Sequence, residues 1–141
     1  MKKVKLTLLA ACSLLVISAK AQHKMDMPDV TATPPKVIFS KVLNTASLNN
    51  QEFKLVVVNF APGESSSAHR HPIPTFGYVL EGELESTFEG KKYRYKKGEA
   101  FYEEPNGLHN GTRNVSKTKP AKLLAMFIGD NGKPFLVPEK K

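Results

Sequence analysis

The sequence contains no tryptophan and a single cysteine, Cys12, among its 141 residues. Cys12 lies in an N-terminal apolar stretch, so the rest of the chain has no disulfide, no thiolate ligand and no cysteine nucleophile. That stretch, residues 6–17, has 12 residues, too few to cross a bilayer as a helix. No segment carries a 3.6-residue apolar stripe of useful length, and there are no internal repeats. The excess of 21 Lys and Arg over 13 Asp and Glu is scattered among residues such as Lys36, Lys54, Lys91, Lys96, Lys117 and Lys140. Without an aromatic-interleaved basic stripe, the charge argues against nucleic acid as a partner.

What is present at the N-terminus is a targeting pattern. Lys2, Lys3 and Lys5 precede the apolar stretch, and Ala19-Lys20-Ala21 places small residues where a signal peptidase reads. Residues 1–21 are therefore read as a bacterial signal peptide cleaved after Ala21, and the product as periplasmic or secreted. The competing reading takes Leu9-Ala10-Ala11-Cys12 as a lipoprotein box, with Cys12 the lipidated residue. Removal of Lys2, Lys3, Lys5 and Lys20 lowers the net charge from +8 to +4 and leaves 120 residues, one ordinary domain with no integral membrane segment.

Residues 22–35 lack periodicity and end in Pro34-Pro35, the mark of a flexible or extended leader. The alternation of His23, Met25 and Met27 within it suits copper(I), but methionines occurring by chance in a leader explain it as well. From there the chain reads as short strands separated by turns: 36–43, 52–60, 75–80, 83–88, 91–96, 99–103, 109–114 and 122–128. Glu89-Gly90 reads as a hairpin turn, and Gly82 and Lys97-Gly98 as further turns. Many short strands with regular turns indicate an all-β, single-domain sandwich or barrel over residues 36–130, followed by a C-terminal tail at 131–141.

Three of the four histidines fall in two turn-to-strand corners. His69 and His71 are one residue apart and so share a strand face, while Arg70 points away from it. His109 follows the turn Pro105-Asn106-Gly107. Neutral imidazoles facing one space suit iron, manganese, zinc, nickel or copper, and His69, His71 and His109 are the candidate metal ligands. Phe76, Tyr78, Phe101 and Phe127 are core or cavity wall, undivided at this level. Glu103 and Glu104 read as a solvated pair, with a role for one in orienting a histidine as the alternative. Glu81, at a turn, reads as a surface residue.

The spacing of Gly63, five residues, His69, one residue, His71 and then Gly82 resembles the first motif of the cupin superfamily. In that motif a glutamate stands seven before the last glycine, where this chain has Thr75. The second cupin motif matches Gly98 and His109 in spacing, with Glu104 at its proline position and Asn106 at its glycine position. Asn106 suits that turn because asparagine tolerates positive φ. Asn114 lies one residue beyond the motif's asparagine. The resemblance implies a double-stranded β-helix of the jelly-roll type with one divalent transition metal inside, held by His69, His71 and His109 and leaving open positions.

With Thr75 in place of the carboxylate, the ligand set is expected to be three neutral imidazoles. Such a set leaves the full charge on the metal, favouring an anionic bidentate ligand, as in the cupins that cleave diketones or oxidise thiols. Thr75 itself is expected to lie behind the ligands, or simply to serve as a β-former. The functional expectation is a secreted metal-dependent enzyme of oxygenase or isomerase type acting on a small oxygen-rich molecule. The alternative is a non-catalytic metal or small-ligand binding or sensing protein. A small-molecule partner and a homodimer complete the expectations.

Overall fold

The computed structural model describes residues 33–140. The targeting segment, Cys12 and the His23/Met25/Met27 alternation lie outside the described residues. Ten strands form in the order β1 (Lys36–Leu43), β2 (Gln51–Phe60), β3 (His69–Arg70), β4 (Thr75–Glu81), β5 (Glu83–Phe88), β6 (Lys91–Lys96), β7 (Ala100–Glu103), β8 (Leu108–Asn114), β9 (Ala121–Asp130) and β10 (Val137–Pro138). They make two antiparallel five-stranded sheets, β1-β2-β9-β4-β7 and β10-β3-β8-β5-β6. This is the expected jelly-roll barrel, a double-stranded β-helix. Among the described residues no helix is long and apolar enough to cross a membrane.

Period-2 patterning builds the interior. Along β9 the side chains of Ala121, Leu123, Ala125 and Phe127 point inward, and Val56 and Phe60 do so from β2. One core cluster joins Phe60, Val79, Leu84, Ala121 and Leu123; a second joins Val56, Ile73, Ala125 and Phe127. The four aromatics left undivided by the sequence now separate: Phe127 is in the core and Phe101 packs against it, whereas Phe76 and Tyr78 lie on the outer face. Phe76 stacks there against Tyr102, with ring centroids 5.0 Å apart.

The turns take the conformations their Gly and Asn residues favour, Glu89 being the exception. Asn106 has φ +63°, Gly82 +77° and Gly98 +91°, while Glu89 at +50° and Gly90 at +74° close the β5–β6 hairpin. The offset of Asn114 from its motif position has a structural cause. In the β5–β8 ladder Thr87 pairs with Gly111 and Phe88 with His109, so Asn110 is an extra residue forming a β-bulge. Gly111 follows it at φ +142°, and any Cβ there would meet the Ser66 carbonyl oxygen at 2.7 Å. The bulge returns Asn114 to the interior. There its amide donates to the carbonyls of Ala61 and Lys119, and its oxygen accepts from Ser116 N.

The chain read as a C-terminal tail supplies the edge strand β10, pairing Val137 with Arg70 and Pro138 with His69. Arg70 points outward, as expected from parity, and bonds Glu139.

Gly77 faces inward on β4, and a Cβ at that position would overlap the ring of Phe101. Gly77→Ala should therefore destabilise the barrel by about 1–3 kcal/mol through forced repacking. A thermal melt lowered by several degrees checks this, and an unchanged midpoint would show that the Phe101 ring yields freely.

Candidate metal centre

The register of the short β3 strand assembles the centre. His69 lies directly opposite His109 across the β3–β8 ladder, and His71 follows one residue beyond β3. The chain leaving His71 is pinned to the second motif's turn, because Asn106 N donates to the His71 carbonyl at 2.7 Å. All three imidazoles are buried. Each offers one ring nitrogen within 4.8 Å of the others.

Their protonation follows from their partners. Nδ1 of His69 lies 2.8 Å from the Ser67 carbonyl oxygen and Nδ1 of His71 lies 2.6 Å from that of Phe135. A carbonyl only accepts, so both Nδ1 atoms carry the proton and both Nε2 atoms are bare. The two bare Nε2 atoms face each other at 3.2 Å. Neither ring readily takes a second proton: burial pushes His69 down to about 4 and also lowers His71. Nε2 of His109 is 2.8 Å from the Thr112 hydroxyl and 3.1 Å from that of Ser86. Both hydroxyls can donate or accept, so they hold the His109 ring from behind without fixing its tautomer.

The fourth participant is Glu103, which is only 3 % exposed. Its Oε2 lies 3.3 Å from His109 Nδ1 and 3.7 Å from His71 Nε2. Neither Glu103 Oε2 nor His109 Nδ1 has a hydrogen-bond partner. The expectation of a solvated Glu103–Glu104 pair is thus corrected: Glu104 is exposed and bonded by Tyr102, whereas Glu103 enters the barrel. A carboxylate thus stands beside two of the three candidate imidazoles. Thr75 and Glu103 are direct partners across β4 and β7, so Glu103 places a carboxylate directly opposite position 75. Thr75 is buried beside it with its hydroxyl bonded to the Ile73 carbonyl at 3.1 Å. Glu81 is exposed, as expected for a turn residue.

Two bare imidazole nitrogens facing each other, beside a ring nitrogen and a carboxylate oxygen that are buried without partners, are unfavourable in an interior. A cation removes that conflict, and three imidazoles with one carboxylate suit a divalent transition ion. The donor set therefore fits the metal.

The group opens into a cavity of about 240 Å³ walled mainly by apolar side chains, among them Val56, Phe101, Leu123 and Phe127. Phe135 and Leu136, from the segment read as a tail, line it too. Parity could have found Glu103, because it alternates with the inward Phe101. The contribution of Phe135, a main-chain oxygen delivered from 64 residues away, carries no sequence signal.

Residues 56–127 match the family described as "Cupin domain". "Germin-like protein subfamily 2 member 4" of Arabidopsis thaliana is 35% identical over 94 residues, covering 62% of this chain and 42% of that protein. The chain thus spans less than half of that relative's length. A structure described as "Recombinant oxalate oxidase in complex with glycolate" superposes with a TM-score of 0.51 at 29% identity, covering 60% of this chain and 45% of that one. An uncharacterized conserved protein with a double-stranded β-helix domain from Klebsiella pneumoniae gives a TM-score of 0.61 at 20% identity, covering 82% and 90%, which bears on the fold alone.

Burial of neutral imidazoles has a pH consequence in the metal-free protein. The folded pKa of His69 lies at about 4, below the ordinary 6.5, so the unfolded chain binds more protons between those values. Stability is full above pH 6.5 and is lost as pH falls toward 4, by about 3 kcal/mol from His69 alone. His71 acts in the same direction. Thermal melts of chelator-treated protein at pH 7 and pH 5 should show the loss, and equal midpoints would contradict the buried neutral state.

Proposed function

The chain belongs to the cupin family, and from that membership we propose that it is a metal-dependent enzyme of oxygenase or isomerase type. One divalent transition ion would be held by His69, His71, His109 and Glu103. The observation that carries the reading is the grouping of ring nitrogens from three buried histidines, with the unpartnered Glu103 oxygen beside two of them. Such an ion, when bound, supplies Lewis acidity to a chelated oxyanion and, if redox-active, a route for electrons.

The chain's own residues do the rest. The Ser67 and Phe135 carbonyls fix the tautomers of His69 and His71 and aim their Nε2 atoms inward. Thr112 and Ser86 hold His109 from behind. The apolar walls keep bulk water from the reacting end of a bound molecule. A small-molecule substrate, rather than a polymer, follows from the size of the cavity.

One observation favours a second reading, a non-catalytic binder of a metal or small ligand. Among the described cavity-lining residues beyond the centre, the buried Glu64 and Thr75 are already engaged in hydrogen bonds and offer no free proton-transfer group. Turnover against stoichiometric binding of the same ligand separates the two.

Metal analysis of the purified protein should give about one divalent ion per chain. His109→Ala should strip most of it, and Glu103→Gln should weaken retention by about tenfold or more. Because Thr75 and Glu103 are cross-strand partners, the transposed variant Thr75→Glu/Glu103→Thr should recover part of what Glu103→Thr loses. Wild-type metal content in both His109→Ala and Glu103→Gln would refute the shared centre.

We also propose export, with cleavage between Ala21 and Gln22. Intact mass of the protein recovered from a bacterial periplasm should begin at Gln22, and a lipidated Cys12 start would refute both the boundary and the soluble product.

A further inference from the structure

The cavity has the histidine centre at one pole and mainly apolar walls, with Glu64 the one buried carboxylate lining it away from that pole among the described residues. Among the described residues no lysine or arginine lines it. The buried polar side chains away from the pole are already engaged. Glu64 accepts from Thr33 N at 2.6 Å and Ala61 N at 2.5 Å, and the Thr75 hydroxyl is spent on the Ile73 carbonyl. Thr112 faces His109. The free polar atoms, Glu103 Oε2 and His109 Nδ1, both belong to the metal centre, with the facing Nε2 atoms of His69 and His71 beside them.

Charge narrows the ligand further. A divalent ion held by three neutral imidazoles and the Glu103 carboxylate carries a net +1. A chelating monoanion neutralises that centre, whereas a dianion leaves a net negative charge there, in a space that also holds the Glu64 carboxylate and, among the described residues, no cationic side chain. Uncompensated buried charge is costly, so monoanions are favoured.

Volume narrows it from the other side. The cavity of about 240 Å³ is smaller than the roughly 300–1,000 Å³ of pockets for drug-sized ligands. It is larger than a cavity of about 150 Å³, which already accepts benzene.

Resting on the proposed metal centre, the geometry points to a substrate class: a small monoanion with a single chelating head, such as a 2-hydroxycarboxylate, on a compact apolar body of about one ring. This narrows the small oxygen-rich molecule expected from the sequence to one with its oxygens gathered in a single head. A small dianion such as oxalate is disfavoured, whatever the likeness to a structure of oxalate oxidase.

Matched probes test this by calorimetry on zinc(II)-loaded protein, zinc being redox-inert. Glycolate and mandelate share a 2-hydroxycarboxylate head and differ by the phenyl group. Mandelate should bind at least tenfold tighter than glycolate, and metal-free protein should bind neither. Oxalate, normalised to its affinity for free zinc(II) in water, should fall at least tenfold further than glycolate does. Ala125→Leu, which narrows the apolar wall, should reduce the mandelate-to-glycolate ratio, and the wild-type comparison decides the matter if that variant does not fold. Failure to bind zinc(II) would overturn the proposed centre and this inference together. Zinc(II) bound at one per chain with mandelate no tighter than glycolate, or with oxalate retaining its aqueous advantage, would overturn the substrate class alone.

Discussion

The Nδ1 protons of His69 and His71 go to the carbonyl oxygens of Ser67 and Phe135, and the chemistry of the barrel interior depends on those two bonds. An imidazole with a free choice of tautomer could turn a proton toward its neighbour and make the His69–His71 contact an ordinary hydrogen bond. Here the main chain removes that choice. Two lone pairs are left facing each other in a space too dry for easy protonation, and the low proton affinity of His69 reflects the same burial. The arrangement is stable only because strand pairing fixes both carbonyls: Ser67 just before β3, and Phe135 just before β10, which pairs with β3.

The carboxylate shows how a sheet can satisfy one requirement from two strands. On an antiparallel pair, directly opposed residues hold their Cβ atoms about 4.5–5.5 Å apart on the same face. A carboxylate at position 75 or at its partner position 103 therefore reaches nearly the same volume. Moving it from β4 to β7 alters the motif completely while barely altering the space that it fills. A missing motif residue is thus weak evidence for a missing ligand until the cross-strand neighbour has been inspected.

This marks how far the sequence could be read. Strand positions and turn conformations were legible because they depend on local preferences: β-branched runs, period-2 alternation, and asparagine or glycine where φ must be positive. The histidine trio was legible because both corners carry turn signals at fixed distances. Glu103 was half legible through its parity with Phe101, but the adjacent Glu104 made the pair look solvated. The Asn110 bulge, the β10 strand and the Phe135 carbonyl were not legible. Each depends on pairing between segments distant in sequence, and a backbone oxygen has no residue type to betray it.

The interior also shows what the fold forgoes. A jelly roll built only for stability would fill the space beside the histidines, since unfilled volume forfeits dispersion contacts. This barrel instead places small Ala125 between Leu123 and Phe127 on the inward row of β9, where larger side chains on either side already make the core. It likewise buries bare nitrogen and oxygen lone pairs that apolar residues of similar size would spare. The core clusters to either side carry the packing, so the cost is confined to one end of the barrel. A ligand able to recover both losses would place its charge beside the histidines and its hydrocarbon against the wall. The same two deficits are those that a molecule of the proposed class would remove together.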